Sequence, residues 1–322
     1  MLMLTERDIE QQLTMREAID AVELAFRQHA QGRTLMPART TMMLEKSRGS
    51  ISLMPSYLEE EQIVATKIIS IFPTNLSRGL PTSQAHILVN DPRTGNLVAL
   101  LEASHLTAMR TGAVTGVAAK YLARENAKTA AVLGCGVQGR TQALALTEVR
   151  RLDQVRCFDL DEAKRSQFAI EMAENLMIDV IPMVSGREAV QGADIVVTAT
   201  TSKAPVLRRD WLSKGTHVSA VGSFYPDHRE LDSETVRDAK VVVDSREAAL
   251  LEAGDIIIPM QEESIRETHI YAELGELVSG QKLGRTAEDD LTVFKSVGLA
   301  IQDSAVTALI LQKYSARPAR FW

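Results

Sequence analysis

Within residues 130–146, AAVLGCGVQGRTQALAL, three glycines stand in a G-x-G-x-x-G spacing between a short apolar run and an Ala-rich one. In a turn that carries a strand into a helix, each glycine has its own task. Gly134 permits the sharp bend, Gly136 lets a pyrophosphate approach the backbone, and Gly139 lets the new helix pack closely on the sheet. Val137 and Gln138 then lie at a helix N-terminus, which faces the phosphates. Glycine turns of this kind also serve packing alone. Twenty residues beyond Gly139, Asp159 closes the run VRCFDLD. A carboxylate there can accept both ribose hydroxyls of an adenosine and repel a 2′-phosphate, which favours NAD(H). Lys164 and Arg165 nearby leave NADP(H) open, and a helix N-cap is the plain alternative for Asp159. Thr198, Thr200 and Thr201 close IVVTATT at a later strand's carboxyl end, where open α/β sheets bind ligands; as turn threonines they need no ligand.

These residues require a framework, and the rhythm of the chain supplies one. From about Lys128, short β-rich runs alternate with tight turns and helical stretches: TAAVLGC, TQALALTEV, QVRCFDL, EAKRSQFAIEMAENL, DVIPM, then DIVVTATT, THVSAVG and AKVVVDS. That alternation is the pattern of parallel βαβ units in a doubly wound sheet. Upstream, residues 14–31 space Ala18, Val22, Ala25 and Phe26 as an amphipathic helix. Between Thr40 and Asn90, β-branched runs broken by Pro, Asn and Gly predict an antiparallel or mixed sheet. SHLTAMRTGAVTGVAAKYLA predicts a helix with Ser104 at its N-cap. Asp290 to Lys313 reads as one long helical stretch, interrupted only by Gly298. The expected architecture is therefore α/β. A Rossmann doubly wound parallel sheet spans residues 121–299, and a second α+β domain for substrate and dimerisation is built from residues 1–120 and completed by a C-terminal helix at about 300–322.

Composition narrows the function. The 322 residues are 45% hydrophobic and 24% charged with a formal net charge of -6. This suits a globular protein with large cores and offers no basic field for nucleic acid. Only Cys135 and Cys157 occur, one in a turn and one in a strand, so neither a disulfide framework nor a Cys-based metal site is expected. A reducing cytoplasm fits that usage. The opening MLMLTERDIEQQL reaches charge too soon for a signal peptide, and no run approaches the roughly 18 apolar residues of a membrane span.

Taken in order, SLMPSYL, ATKIISIFPTN, GLPTSQAHILVND, LTAMRTGA, VLGCGVQGR, VGSFYPDHRELD and VFKSVGLAIQD resemble the ornithine cyclodeaminase/mu-crystallin family over about residues 39–303. The resemblance implies a homodimer with NAD(P) bound by the Rossmann domain. It implies a substrate carboxylate held by Arg39, Lys67 and Arg110. It places Thr82, Arg110 and Thr111 at the cofactor phosphates and nicotinamide side, and Val221, Gly222 and Ser296 near the nicotinamide. The chemistry agrees: an amino or imino acid needs cationic donors for its carboxylate, and Arg can grip it bidentately. Arg39 and Arg110 could equally be surface ion pairs. Lys67 stands inside an apolar strand run, where an unpaired ammonium is costly, so a functional role is favoured.

Family cyclodeaminases carry a glutamate and an aspartate at the positions occupied here by Ser52 and Phe224. Without those carboxylates nothing handles a second amine. The loop GSFYPDHREL is similar instead to the reductase and mu-crystallin form, with Asp227 after the proline, either facing substrate or acting as a turn aspartate. The expected activity is NAD(P)H-dependent reduction of an α-imino acid of the ketimine, Δ1-pyrroline-2-carboxylate or alanine dehydrogenase type to an L-amino acid. Lys67, or a water held by Asp227, would supply the proton. A redox-neutral ornithine or lysine cyclodeaminase and a mu-crystallin-like binding protein are the alternatives.

Overall fold

The computed structural model describes residues 1–315; residues 316–322, the end of the expected C-terminal segment, lie outside the described residues. The chain divides into two compact units: residues 1–110 with the segment from Leu299 onward, and Thr111–Gly298.

In the first unit, seven strands form one sheet: β1 (Leu2–Leu4), β2 (Thr34–Leu35), β3 (Thr40–Leu44), β4 (Gly49–Leu58), β5 (Ile63–Ile71), β6 (Ser83–Asn90) and β7 (Leu97–Glu102). The order is β1-β7-β6-β5-β4-β2, with β3 also paired to β4. All pairs are antiparallel except β1 with β7. The long strands alternate. Ser50, Ser52, Met54, Ser56 and Leu58 of β4 are buried while the residues between them are half-exposed, and Ile63, Ala65 and Lys67 of β5 share the buried face. Two helices pack on each other, Met15–Ala30 and Ala300–Ser315, the second also lying on β4 and β5. Met15–Ala30 starts at a capping box in which Thr14 and Glu17 satisfy each other's backbone N–H, and it buries Ala18, Ile19, Val22, Ala25 and Phe26 along one stripe. Ala300 to Ala308 is buried all round, as expected of an interior helix.

The division between the units falls within the helix Ser104–Leu122. Its N-cap differs from the expected one. The Glu6 carboxylate accepts from the N–H groups of Ser104 (2.6 Å) and His105 (2.8 Å), whereas the Ser104 hydroxyl accepts from Ala85 N. A distant carboxylate satisfies the orphan donors of the first turn and answers its partial positive charge.

The second unit holds eight parallel strands: β8 (Thr129–Leu133), β9 (Gln154–Phe158), β10 (Asp179–Pro182), β11 (Ile195–Thr198), β12 (His217–Ala220), β13 (Lys240–Val243), β14 (Ile270–Glu273) and β15 (Thr292–Lys295). Their order is β10-β9-β8-β11-β12-β15-β13-β14. Both faces are covered: Ala131 and Leu133 of β8 enter one apolar core, Ala130 and Val132 the other. The winding reverses between β8 and β11, which makes their carboxyl ends the switch point of the sheet. The single helix expected over 290–313 is instead a strand, β15, followed by a helix from Ala300. Thr292, Val293 and Phe294 favour the pleat, and Gly298 at φ +80 turns the chain between the two elements.

Two arginines close the carboxyl end of the helix Ser104–Leu122. Arg150 donates to the carbonyls of Ala119 (2.6 Å), Lys120, Ala123 and Arg124, and Arg285 donates to that of Leu122 (2.8 Å). Arg150→Ala takes this donor from the Lys120 and Ala123 carbonyls, while those of Ala119 and Arg124 keep backbone donors, and it removes a cation from a helix C-terminus, so it should cost about 2–3 kcal/mol. A denaturant melt with an unchanged midpoint would refute the assignment.

Candidate active site

In the second unit the glycine turn leaves β8 at the switch point. Gly134 has φ +103, and a Cβ there would lie 2.5 Å from Ala199 O; on Gly139 a Cβ would lie 2.1 Å from Gly134 O. Both positions exclude any side chain. Gly136 differs: a Cβ there would meet nothing within 4 Å, and the helix Val137–Val149 that it caps has no side-chain partner for its first N–H groups. A bare backbone thus faces open space at the positive end of a helix, which is what an anionic phosphate bridge requires. Val137 is exposed and Gln138 half-buried beside it.

Asp159 follows β9 and is half-buried. Its Oδ2 accepts from Cys135 N at 2.9 Å and its Oδ1 from Asp161 N at 3.0 Å, so it also braces the glycine turn. The cap of the next helix is Asp161, which accepts from Ala163 N and Lys164 N. Asp159 is therefore spared for another role, and each oxygen keeps acceptor capacity for a ribose hydroxyl.

On the other side of the switch point, Thr198 and Thr200 do not present free hydroxyls. Both donate to Glu230, at 2.9 and 2.8 Å, and Thr198 is fully buried. Both hydroxyls are thus engaged within the protein, where they shape the turn. Val221 is buried and Gly222 donates its N–H to Glu230. Ser296 is 3% exposed and donates to Asp244, which also accepts from Val297 N and Gly298 N and so folds the turn after β15. Thr111 is half-buried, its carbonyl accepting from Gln142 Nε2.

In the first unit, the pleat of β5 turns Lys67 to the core face between Met54 and Ile87. It is 1% exposed, and its ammonium lies 2.7 Å from Asp303 Oδ2. Arg110, 6% exposed, donates from Nε to Asp303 Oδ1 at 2.9 Å and from Nη1 to Gln302 Oε1 at 2.7 Å. Arg39 is half-buried and close enough to add its repulsion to Lys67. Burial first, then the Arg110 charge, push the Lys67 pKa down to about 7; Asp303 opposes them. The site thus sets two cations, Lys67 and Arg110, on one carboxylate with Arg39 near Lys67, and its lysine has a proton exchangeable near neutrality. Thr82 stands apart on the exposed approach to β6, its carbonyl accepting from Phe72 N.

Asp227 lies in the loop between β12 and β13. Its side chain is 77% exposed and bonds His228 Nδ1 at 2.7 Å, which holds its carboxyl below the usual range. An exposed carboxylate that keeps its charge is not itself a proton donor, so any part Asp227 takes in proton supply runs through a water. Sequence reasoning missed Asp303 and Glu230. The first stands alone as an acid in the apolar stretch GLAIQDSAVTALIL, and that isolation was its signal.

A doubly wound sheet with an open helix N-terminus at its switch point and a carboxylate ending the next strand is a Rossmann-type dinucleotide-binding fold. The chain belongs to the ornithine cyclodeaminase/mu-crystallin family, whose model matches residues 1–317. It is 38% identical over 314 residues to a Delta(1)-pyrroline-2-carboxylate reductase of Bacillus cereus, covering 97% of this chain and 96% of that one. The structure of the Thermococcus litoralis Delta(1)-pyrroline-2-carboxylate reductase in complex with NADH and L-proline is similar at TM-score 0.96 and 47% identity, covering 98% of each chain. An archaeal alanine dehydrogenase dimer with bound NAD is similar at TM-score 0.92 and 35% identity, covering 100% of this chain and 99% of the other.

The depressed Lys67 pKa carries a stability signature. Above about pH 7 the folded state loses the Lys67 proton while the unfolded chain keeps it to about 10.5. The unfolded state then binds more protons, so this group makes stability rise with pH across that window and contributes its full penalty below it. Thermal unfolding of the native chain against Lys67→Met should therefore shift in favour of the native chain from pH 6 to pH 10; a pH-independent difference would contradict the buried ammonium.

Proposed function

We propose that this protein is an NAD(H)-dependent reductase of a small α-imino acid, with Δ1-pyrroline-2-carboxylate as the foremost substrate and L-proline as its product. The observation that carries the reading is the Lys67–Asp303–Arg110 cluster: buried cations that outnumber their carboxylate are built to receive another one. Arg110 and Arg39 would grip the substrate carboxylate, and Lys67, charged on its Nζ, would donate a proton to the imine nitrogen. Asp303 keeps Lys67 charged enough to do so. Gly134, Gly136, Val137, Gln138 and Gly139 would hold the pyrophosphate and Asp159 the adenosine ribose, whose hydroxyls it favours over a 2′-phosphate. When bound, the nicotinamide supplies the hydride for the α-carbon.

Residues 1–110 with the C-terminal helix are accordingly the substrate unit, and Thr111–Gly298 the cofactor unit. Thr82, Thr111, Val221, Gly222 and Ser296 are kept as cofactor-side positions on the strength of the family resemblance. Ser52, where a cyclodeaminase would carry a glutamate, is buried and shares its hydroxyl with Thr41 at 2.8 Å, which favours reduction over loss of ammonia. We also infer a homodimer: Met42 and Met43 of β3, Leu76 and Leu80 are exposed apolar residues of the substrate unit, and the similar archaeal enzyme is a dimer. Two buried thiols and no helix among the described residues apolar enough to cross a membrane fit a cytoplasmic enzyme.

Loss of NADH absorbance on adding Δ1-pyrroline-2-carboxylate tests the reading directly. Release of ammonium from ornithine without any absorbance change would overturn it. Lys67→Met should lower kcat by about 100-fold or more while NADH still binds. In the native chain kcat/KM, which reports the free enzyme, should fall as pH rises through about 7 and Lys67 loses its proton. Asp303→Asn removes the group that supports that proton, so the same limb should move to lower pH; a limb that stays in place would exclude Lys67 as the acid.

A further inference from the structure

Glu230, Asp255 and Lys295 of the second unit are fully buried, form one connected network, and are used by no step above. The Glu230 carboxylate collects four donors. Oε1 accepts from Thr200 N (2.7 Å) and Thr200 Oγ1 (2.8 Å); Oε2 accepts from Thr198 Oγ1 (2.9 Å) and Gly222 N (2.7 Å). These come from two turns, one at the carboxyl end of β11 and one just past β12. The turns lie so close that a Cβ on Gly222 would stand 2.4 Å from Thr200 N and 2.5 Å from Glu230 Oε1. Behind the carboxylate, Asp255 Oδ1 accepts from Glu230 N and Leu231 N, and Asp255 Oδ2 pairs with Lys295 Nζ at 2.8 Å. Lys295 in turn donates to Ser223 O at 2.5 Å, in the same turn as Gly222.

Burying two carboxylates and one ammonium is expensive, and apolar residues of like volume would serve stability as well or better. Such a network is retained where it fixes a geometry. A dinucleotide with its ribose at Asp159 and its pyrophosphate at Gly136 extends its other half across the switch point, over the ends of β11 and β12. Those are the two turns that Glu230 ties together. We propose that Glu230, backed by Asp255 and Lys295, is a positioning residue for the nicotinamide half of the cofactor, fixing the turns at Thr198–Thr200 and Val221–Ser223 without touching the dinucleotide. This rests on the reading of Thr111–Gly298 as the cofactor unit.

The test compares NADH with ADP, which occupies only the half held by Asp159 and the glycine turn. NADH affinity is read by fluorescence titration and ADP by competition, on the full-length native chain, Glu230→Gln and the milder Thr200→Ala, which loses one hydroxyl donor and keeps its N–H. Glu230→Gln presents an amide NH2 to groups that are all donors. It should weaken NADH by about tenfold or more while ADP stays within about twofold, and Thr200→Ala should show the same split, about threefold. Equal weakening of both ligands, or no weakening of NADH, would overturn the proposal. Should Glu230→Gln fail to fold, Thr200→Ala decides by the same split. A native chain that binds ADP or NADH in neither case would remove the cofactor reading itself, an outcome visible before any variant is measured.

Discussion

One carboxylate holds the candidate substrate site together. Asp303 lies between Lys67 and Arg110, at 2.7 and 2.9 Å, with all three side chains nearly out of solvent. Without it, two buried like charges would face each other and the site would either take in water or lose its protons. With it, the local sum stays positive, and Arg39 adds to that surplus from a half-buried position. The sheet supplies the rest of the constraint. The pleat of β5 decides that Lys67 faces inward, and the antiparallel register with β4 and β6 sets Met54 and Ile87 beside it as a dry wall. Low dielectric strengthens both the attraction and the penalty, which is why the lysine is poised near neutrality.

The second unit solves a related problem with backbone rather than cations. Gly134 and Gly139 are held by contacts that no side chain could survive, while a Cβ on Gly136 would meet nothing within 4 Å. Two glycines therefore make the turn, and the third leaves it accessible. Asp159 joins the two halves of this device, bracing Cys135 N with one oxygen while retaining acceptor capacity. On the far side of the switch point the bracing is done by Glu230.

Much of this was legible in the sequence, and unevenly so. The extent of the helix EAKRSQFAIEMAENL was readable to the residue because its periodicity is local, although its cap is Asp161 rather than Asp159. The glycine turn and Asp159 were readable because the tasks of a strand–turn–helix are set by short-range geometry. Lys67 stood out as a charge within an apolar strand. What escaped was non-local: Arg110 and Asp303 are 193 positions apart, and Glu230 reaches its partners only through two turns. Asp227 stayed open in the sequence because a loop aspartate beside a proline reads alike whether it faces substrate or caps a turn; its side chain here bonds its own neighbour His228. The strand β15 was hidden inside an apolar run that continues into a helix, where composition alone cannot separate the two.

The first unit draws its strands from the beginning of the chain and its covering helix, Ala300–Ser315, from the end. During synthesis the whole of Thr111–Gly298 is made before Asp303 is. Until then Lys67 and Arg110 lack Asp303, and the face of β4 and β5 that carries Lys67 lacks the helix that packs on it. The order of translation thus makes the dinucleotide fold an early product and the candidate substrate site the last, so a chain released short of its final helix would lack that site and expose an open sheet, a natural target for chaperones and proteases.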